Sequence, residues 1–192
     1  LESKNLPVKV FVPFGKEEEY RKKLIPFDST FALKSSELEP EDWLSIFNLQ
    51  MTSLEGVLIT RIVSKLKDDK TSFTISDIES EIKKDPHSNK ETKEIISALF
   101  SAANSWGVFS KKEEGTEISD LVIPKTTVVL DVSVYSSISA FNVRALVISL
   151  ISRKLFEGRM SARKREELEA LQHGQEYLSY QTKRKEPLIW IF

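Results

Sequence analysis

The apolar positions of this chain change period along its length, and each change predicts an element. Residues 6–14 (LPVKVFVPF) alternate around Val8, Val10 and Val12, a period of two that predicts a strand closed by Pro13 and Gly15. Residues 16–38 are charged and irregular and predict a connector, held to a core by Phe27, Phe31 and Leu33. From residue 39 to about 106 the period becomes helical. Pro40 suits a first helical position, with Trp43, Leu44 and Phe47 on one face. A second helix carries Leu54, Val57, Leu58, Ile62 and Leu66, and a third Ile75, Ile78 and Ile82 before Asp85-Pro86. A fourth carries Ile95, Ile96, Leu99, Phe100 and Ala103 and stops at Gly107. Thr52 with Glu55, Ser76 with Glu79 and Ser88 with Glu91 have capping-box spacing ahead of these stretches. Four helices on short polar turns predict a small bundle.

Residues 110–120 read as a polar loop around Gly115. Residues 126–133 (TTVVLDVS) predict an apolar strand ending in an acid and a hydroxyl. A long helix is expected over about Ala140 to Gly158, apolar on more than one face and so buried against a sheet. Residues 159–186 are heavily charged and partly helical in this reading. The final run, 187–192 (PLIWIF), predicts a fully buried strand. The fold class is therefore α/β with a mainly helical insertion. Residues 1–38 and 116–192 supply the strand-bearing core, with a strand–helix–strand (βαβ) unit of a parallel sheet in the latter, and 39–115 supply the bundle.

Composition narrows the function classes. The net charge of −1 gives no whole-chain attraction to nucleic acid, so any such contact needs a local patch. With no cysteine, disulfides and thiolate zinc sites are excluded, which fits a reducing, cytoplasmic setting. No apolar run approaches the ~18–20 residues that span a bilayer. Abundant Lys and Glu with two Met lean toward a thermophile. Leu1-Glu2-Ser3-Lys4 is neither a signal peptide nor an initiator Met, and a chain ending on an apolar strand reads as cut. Both ends predict an internal piece of a longer product.

The stretches 128–133 (VVLDVS), 142–159 (NVRALVISLISRKLFEGR) and 187–192 (PLIWIF), in this order, resemble the HerA-type archaeal and bacterial ATPases, RecA-like hexameric P-loop enzymes of the HerA/FtsK group. The opening 6–14 resembles the segment that follows the Walker A half in that family, and 39–106 sits where such proteins carry an inserted bundle. The resemblance implies a RecA-like core lying between the Walker A and Walker B motifs. It implies ATP and Mg as cofactors of the parent protein, and a homo-oligomeric, hexameric ring. It also implies DNA translocation or helicase action, with a nuclease partner in DNA end processing and repair. The chain itself contains no GxxxxGK[ST] loop and ends before any Asp-Glu pair, so alone it is expected neither to bind nor to hydrolyse ATP.

Two residues stand as catalytic candidates. Asp131 ends a strand, where α/β proteins place functional acids, although a cap or a solvent-facing acid is the plainer reading. Arg144, early in the long helix, has the chemistry of an arginine finger reaching a neighbouring subunit's phosphate, against the plainer reading of a structural salt bridge. Arg159, Arg163, Lys164 and Arg165, with Lys183-Arg184-Lys185, offer phosphate contacts diluted by Glu166, Glu167, Glu169 and Glu176. His87 and His173 lack a ligand pattern and read as surface residues, and Trp43, Trp106 and Trp190 read as core. The alternative function is a non-catalytic helical module. Residues 53–115 have the order of a winged helix that binds duplex DNA, but Lys90 and Lys93 share the recognition position with Glu91 and Glu94. An assembly or protein-interaction domain is the third reading.

Overall fold

The computed structural model describes residues 7–112, 114–135, 141–174 and 189. Strand β1 (Val8–Pro13) is central in a parallel sheet of order β2-β1-β3, with β2 (Ser29–Phe31) and β3 (Thr127–Leu130) on its two sides. Val10 lies opposite Val129, and Phe11 lies between Ser29 and Leu130. The chain is thus α/β with a small parallel sheet.

The predicted connector is more ordered than its charge suggested. Helix α1 (Glu17–Lys22) and β2 both lie inside it. Three acids in the first turn and Arg21 and Lys22 in the last complement the helix dipole, and Arg21–Glu17 and Lys23–Glu19 pairs close i,i+4 rungs. Charge that reads as irregular in one dimension is here a solvated helix face. Only Tyr20 of α1 is buried, and its ring meets the half-buried Phe27 edge-on. Phe31 and Leu33 are buried, as expected of them.

Helices α2 (Pro40–Phe47), α3 (Leu54–Asp69), α4 (Ile75–Lys84) and α5 (Lys90–Ser105) form the bundle between β2 and β3. Pro40 occupies the first turn of α2, and Asn48 closes that helix in the left-handed region at φ 53°. All three predicted capping boxes are displaced. The real caps are Ser53, which accepts from the Gly56 N–H, Thr74 paired reciprocally with Asp77, and Asn89, which accepts from the Thr92 N–H. Asp at the third position closes the box as Glu does, with a shorter reach. Ser88 is unavailable as a cap because its hydroxyl accepts from Arg61 and its N–H donates to Asp85. The buried stripe of α3 is Leu58, Ile59, Ile62, Val63 and Leu66, with Leu54 and Val57 left exposed.

Asp85 is the buried hinge-pin of the bundle. Its carboxylate takes Arg61 in a two-pronged pair at 3.1 and 2.9 Å and accepts the His87 and Ser88 N–H groups. Burial pushes its pKa up, yet the Ser88 and Arg61 hydrogen bonds outweigh that and hold it below the ordinary value. On the surface beside it, Lys70 and Thr74 hold Asp77 at about 2, and Lys65 and Lys84 hold Glu81 at about 2. All three carboxyls are depressed in the folded state, so their stabilisation is complete above an unfolded pKa of about 4 and is lost as pH falls through the folded pKa, about 2 for Asp77 and Glu81. The melting temperature should therefore drop across that acid window. Glu81→Gln should lower it at neutral pH and make no difference at the acid end, which thermal scans of both proteins across pH would check.

Helix α6 (Ile118–Leu121) begins inside the predicted polar loop. Helix α7 (Phe141–Gly174) runs well past Gly158, through the charged stretch. Val143, Leu146, Val147, Leu150 and Ile151 are buried along its first half, where the helix packs chiefly on α2, α6 and the turn after β3 and not on the sheet as expected, and Ala162 is buried further along. The clamp is polar as well. Arg153 forks onto Asp42 at 3.1 and 2.8 Å and also donates to the Glu37 carbonyl, and Lys154 reaches Glu37 at 2.6 Å. One buried core runs unbroken from Phe11 through the bundle to Ile151. The final predicted strand, 187–192, lies outside the described residues apart from Ile189, which belongs to no regular element. The first strand and the helix of the expected βαβ unit are β3 and α7, and only its closing strand lies outside the described residues.

Candidate functional site

Ligand sites of open α/β sheets form beyond the carboxyl ends of the strands. At that edge β1 delivers Phe14-Gly15-Lys16 and β3 delivers Asp131-Val132-Ser133. Asp131 is half-buried. Its N–H donates to the Phe11 carbonyl at 2.8 Å, and its carboxylate accepts the Ser133 N–H at 2.8 Å, capping the short 3-10 turn Ser133–Tyr135. The Tyr20 hydroxyl of α1 donates to the Asp131 carbonyl at 3.3 Å. Glu19, Tyr20, Lys23, Ile25, Ser133 and Val134 enclose a cavity of about 140 Å³. Burial raises the Tyr20 pKa, against the hydrogen bond with Ser133, and the Asp131 charge adds to the rise. Its neighbour Glu19 is lowered by the hydrogen bond from Lys23. Tyr20 and Lys23 went unsignalled in the sequence because α1 itself was read as connector.

The other predicted residues are spread over the molecule. Arg144 sits half-buried on the first turn of α7, among Val143, Leu146 and Val147. Arg159 pairs with Glu166 at 3.1 Å and Arg163 with Glu167 at 2.9 Å, so both guanidinium groups already face carboxylates of their own helix. Residues 183–185 and Trp190, and the side chain of His173, lie outside the described residues. His87 is exposed. Trp43 is fully buried and Trp106 half-buried, both within one aromatic cluster. At the would-be recognition helix, Lys90 pairs with Glu94 at 3.6 Å, and Phe109 bridges in parallel to Leu33.

Whether the edge suits ATP and Mg turns on Gly15-Lys16, the glycine–lysine pair at the end of β1. A phosphate cradle needs free successive backbone N–H groups. The Gly15 N–H is already given to the Gly107 carbonyl at 2.7 Å, and the two glycines are in backbone contact. These residues do not fit a triphosphate, and among the described residues no group of three His, Cys, Asp or Glu could hold a metal ion. An open groove of about 850 Å³ lies elsewhere, between the sheet and the segment after Phe109, lined by Lys9, Phe14, Thr30, Lys111 and Lys112 and by the acids Glu114 and Asp120. Among the described residues no helix is long and apolar enough to cross a membrane. In comparisons with protein-family models, curated proteins and solved structures, nothing matches this chain.

Proposed function

We propose that this chain is a non-catalytic portion of a HerA-type, DNA-translocating ATPase, supplying strands of a RecA-like sheet and the helical bundle inserted between them. The observation that carries the reading is the order of parts. Strand β1 comes first, the bundle follows, and β3 and the long helix α7 come after it. That sequence of strand, bundle, strand and helix is the order in which the resemblance places 6–14, 39–106, 128–133 and 142–159. In this reading the phosphate loop, Mg and its acidic ligands come from segments other than the one given, which accords with a Gly15 N–H already engaged by the Gly107 carbonyl. In this reading Asp131 is a positioning residue that caps the turn after β3, and Arg144 is the candidate finger toward a neighbouring subunit of the ring.

The test has two arms. The present chain, titrated with ATP and Mg in a calorimeter, should give no heat of binding. The product of the whole gene should hydrolyse ATP faster when duplex DNA is added. Arg144→Ala in that product should slow hydrolysis at least about 10³-fold while leaving nucleotide affinity unchanged, the signature of a group acting on transferred charge. A well-folded whole product without ATPase activity would sink the proposal. The winged-helix alternative gains nothing from a recognition position where Lys90 and Lys93 stand among Glu91 and Glu94, with Lys90 3.6 Å from the Glu94 carboxylate.

A further inference from the structure

The groove of about 850 Å³ opens on the outer edge of β2. The Pro7 and Phe11 carbonyls accept the Thr127 and Asp131 N–H groups, so alternate residues of β1 turn to β3, and Val10 and Val12 between them turn to β2. Val12 lies opposite Thr30 and bonds its two neighbours, Ser29 and Phe31. The main-chain N–H and C=O of Thr30 therefore face outward, as do those of Ala32 two residues on. Ala32 is already engaged: its N–H donates to the Thr116 hydroxyl at 2.9 Å and its carbonyl accepts the Thr116 N–H at 2.8 Å. Thr116 thus makes one rung of an added strand. Thr30, which lines the groove, is the next rung and has no partner there among the described residues. Unpaired main-chain groups on a sheet edge are a template for an extended chain.

The side chains say which chain. Lys9, half-buried on the central strand, holds its ammonium 4.9 Å from the Phe11 ring centroid, and no carboxylate pairs with it among the described residues. Lys111 and Lys112 are exposed on the opposite wall, and the exposed Phe14 and half-buried Ile123 add apolar surface. A nucleic-acid strand carries its negative charge without a break, and Glu114 and Asp120 in the same lining would repel it. Phe14 is also the one exposed ring among the described lining residues, too few for stacking along a strand. A peptide can place separate carboxylates on the lysines and an apolar side chain on Phe14 while its main chain pairs with Thr30.

We propose that this groove is a docking site for an acidic, extended segment of a partner protein, added as a strand beside β2 with its carboxylates on Lys9, Lys111 and Lys112. Neither nucleotide nor Arg144 takes part, so it stands or falls apart from the ATPase reading.

A fluorescent octapeptide alternating valine and glutamate, titrated into the full chain, should bind saturably, and more weakly as salt rises. The counterpart with lysine for glutamate and an oligothymidylate of equal length should not bind. Lys111→Glu with Lys112→Glu should weaken peptide binding at least about tenfold. Circular dichroism should not change, because both side chains are exposed. Lys9→Met, which keeps the packing on Phe11 and removes the charge, should weaken binding likewise. Lys125→Glu, exposed and outside the groove, should not. In amide exchange read by NMR, the peptide should slow Thr30. No saturable binding, equal binding of the lysine peptide, displacement by the oligonucleotide, a loss as large in K125E as in the groove variants, or an unprotected Thr30 would each overturn the proposal.

Discussion

Trp43→Ala is expected to destabilise the protein by about 3–5 kcal/mol, the range for emptying a buried aromatic site. Against a typical total of ~5–15 kcal/mol, that leaves a molecule close to its unfolding threshold at working temperature. The reason is position as much as size. Trp43 is 0% exposed and meets Phe47 at 5.8 Å, Phe100 at 4.9 Å and Phe109 at 5.2 Å between ring centroids. It therefore joins α2 to α5 and to the segment that bridges to Leu33. Its indole Nε1 is buried without a hydrogen-bond partner among the described residues. A buried donor left unpaired costs about 1–3 kcal/mol. Trp43→Phe, which removes that donor along with some volume, should thus cost much less than Trp43→Ala. Urea titrations of the three proteins check the order. Equal losses for Phe and Ala would mean that the indole N–H is satisfied and that its hydrogen bond, lost in both, outweighs the ring volume that Phe keeps.

Gly15→Ala is the second large effect, with an expected loss on the order of 3 kcal/mol from overpacking against backbone that cannot move aside. A Cβ on Gly15 would lie 2.5 Å from the Gly107 Cα, and one on Gly107 would lie 2.8 Å from the Gly15 Cα. Gly107 is doubly constrained because its φ of 72° is a left-handed conformation that side chains disfavour. The contact, with its Gly15 N–H to Gly107 carbonyl bond, fastens the end of β1 to the end of α5. The Tyr135 hydroxyl, donating to the Trp106 carbonyl at 2.8 Å, ties the turn after β3 to the same place. For a chain of this size the melting temperature should fall by roughly 6–12 °C. An alanine at Gly158, where an added Cβ meets nothing within 4 Å, is the control and should be neutral or slightly stabilising. If Gly15→Ala melts with the wild type, the close approach of the two backbones is wrong.

Local patterning carried most of the elements. The alternation of Val8, Val10 and Val12 marked β1, and Ile75, Ile78 and Ile82 marked the buried face of α4 to the residue. Asp85-Pro86 marked its end, because a residue before proline leaves the helical region. These signals are legible because period and turn chemistry act within a few residues. The α/β class and the mainly helical middle of the chain follow from them directly.

Other features depended on partners distant in sequence. Burial of Ile59 and Val63 in place of Leu54 and Val57 was decided by how α3 rolls against α2, α4 and α5. Ser88 yielded its cap to Asn89 because Arg61, far back on α3, claims its hydroxyl. The connector became α1 and β2 because Tyr20 could reach the Asp131 carbonyl and Asp28 could accept the Val10 N–H. Asp131 was legible as an acid at a strand end, but only the fold showed its carboxylate turned onto the Ser133 N–H. Gly15 and Gly107 looked like ordinary punctuation until the tertiary structure pressed one against the other. The sequence by itself determined β1, the bundle helices, β3 and the start of the long helix, since their periods are written in neighbouring residues, but not the short elements α1, β2 and α6. Only the tertiary structure decided which faces meet and which polar groups are already engaged, since that is settled by side chains a hundred residues apart.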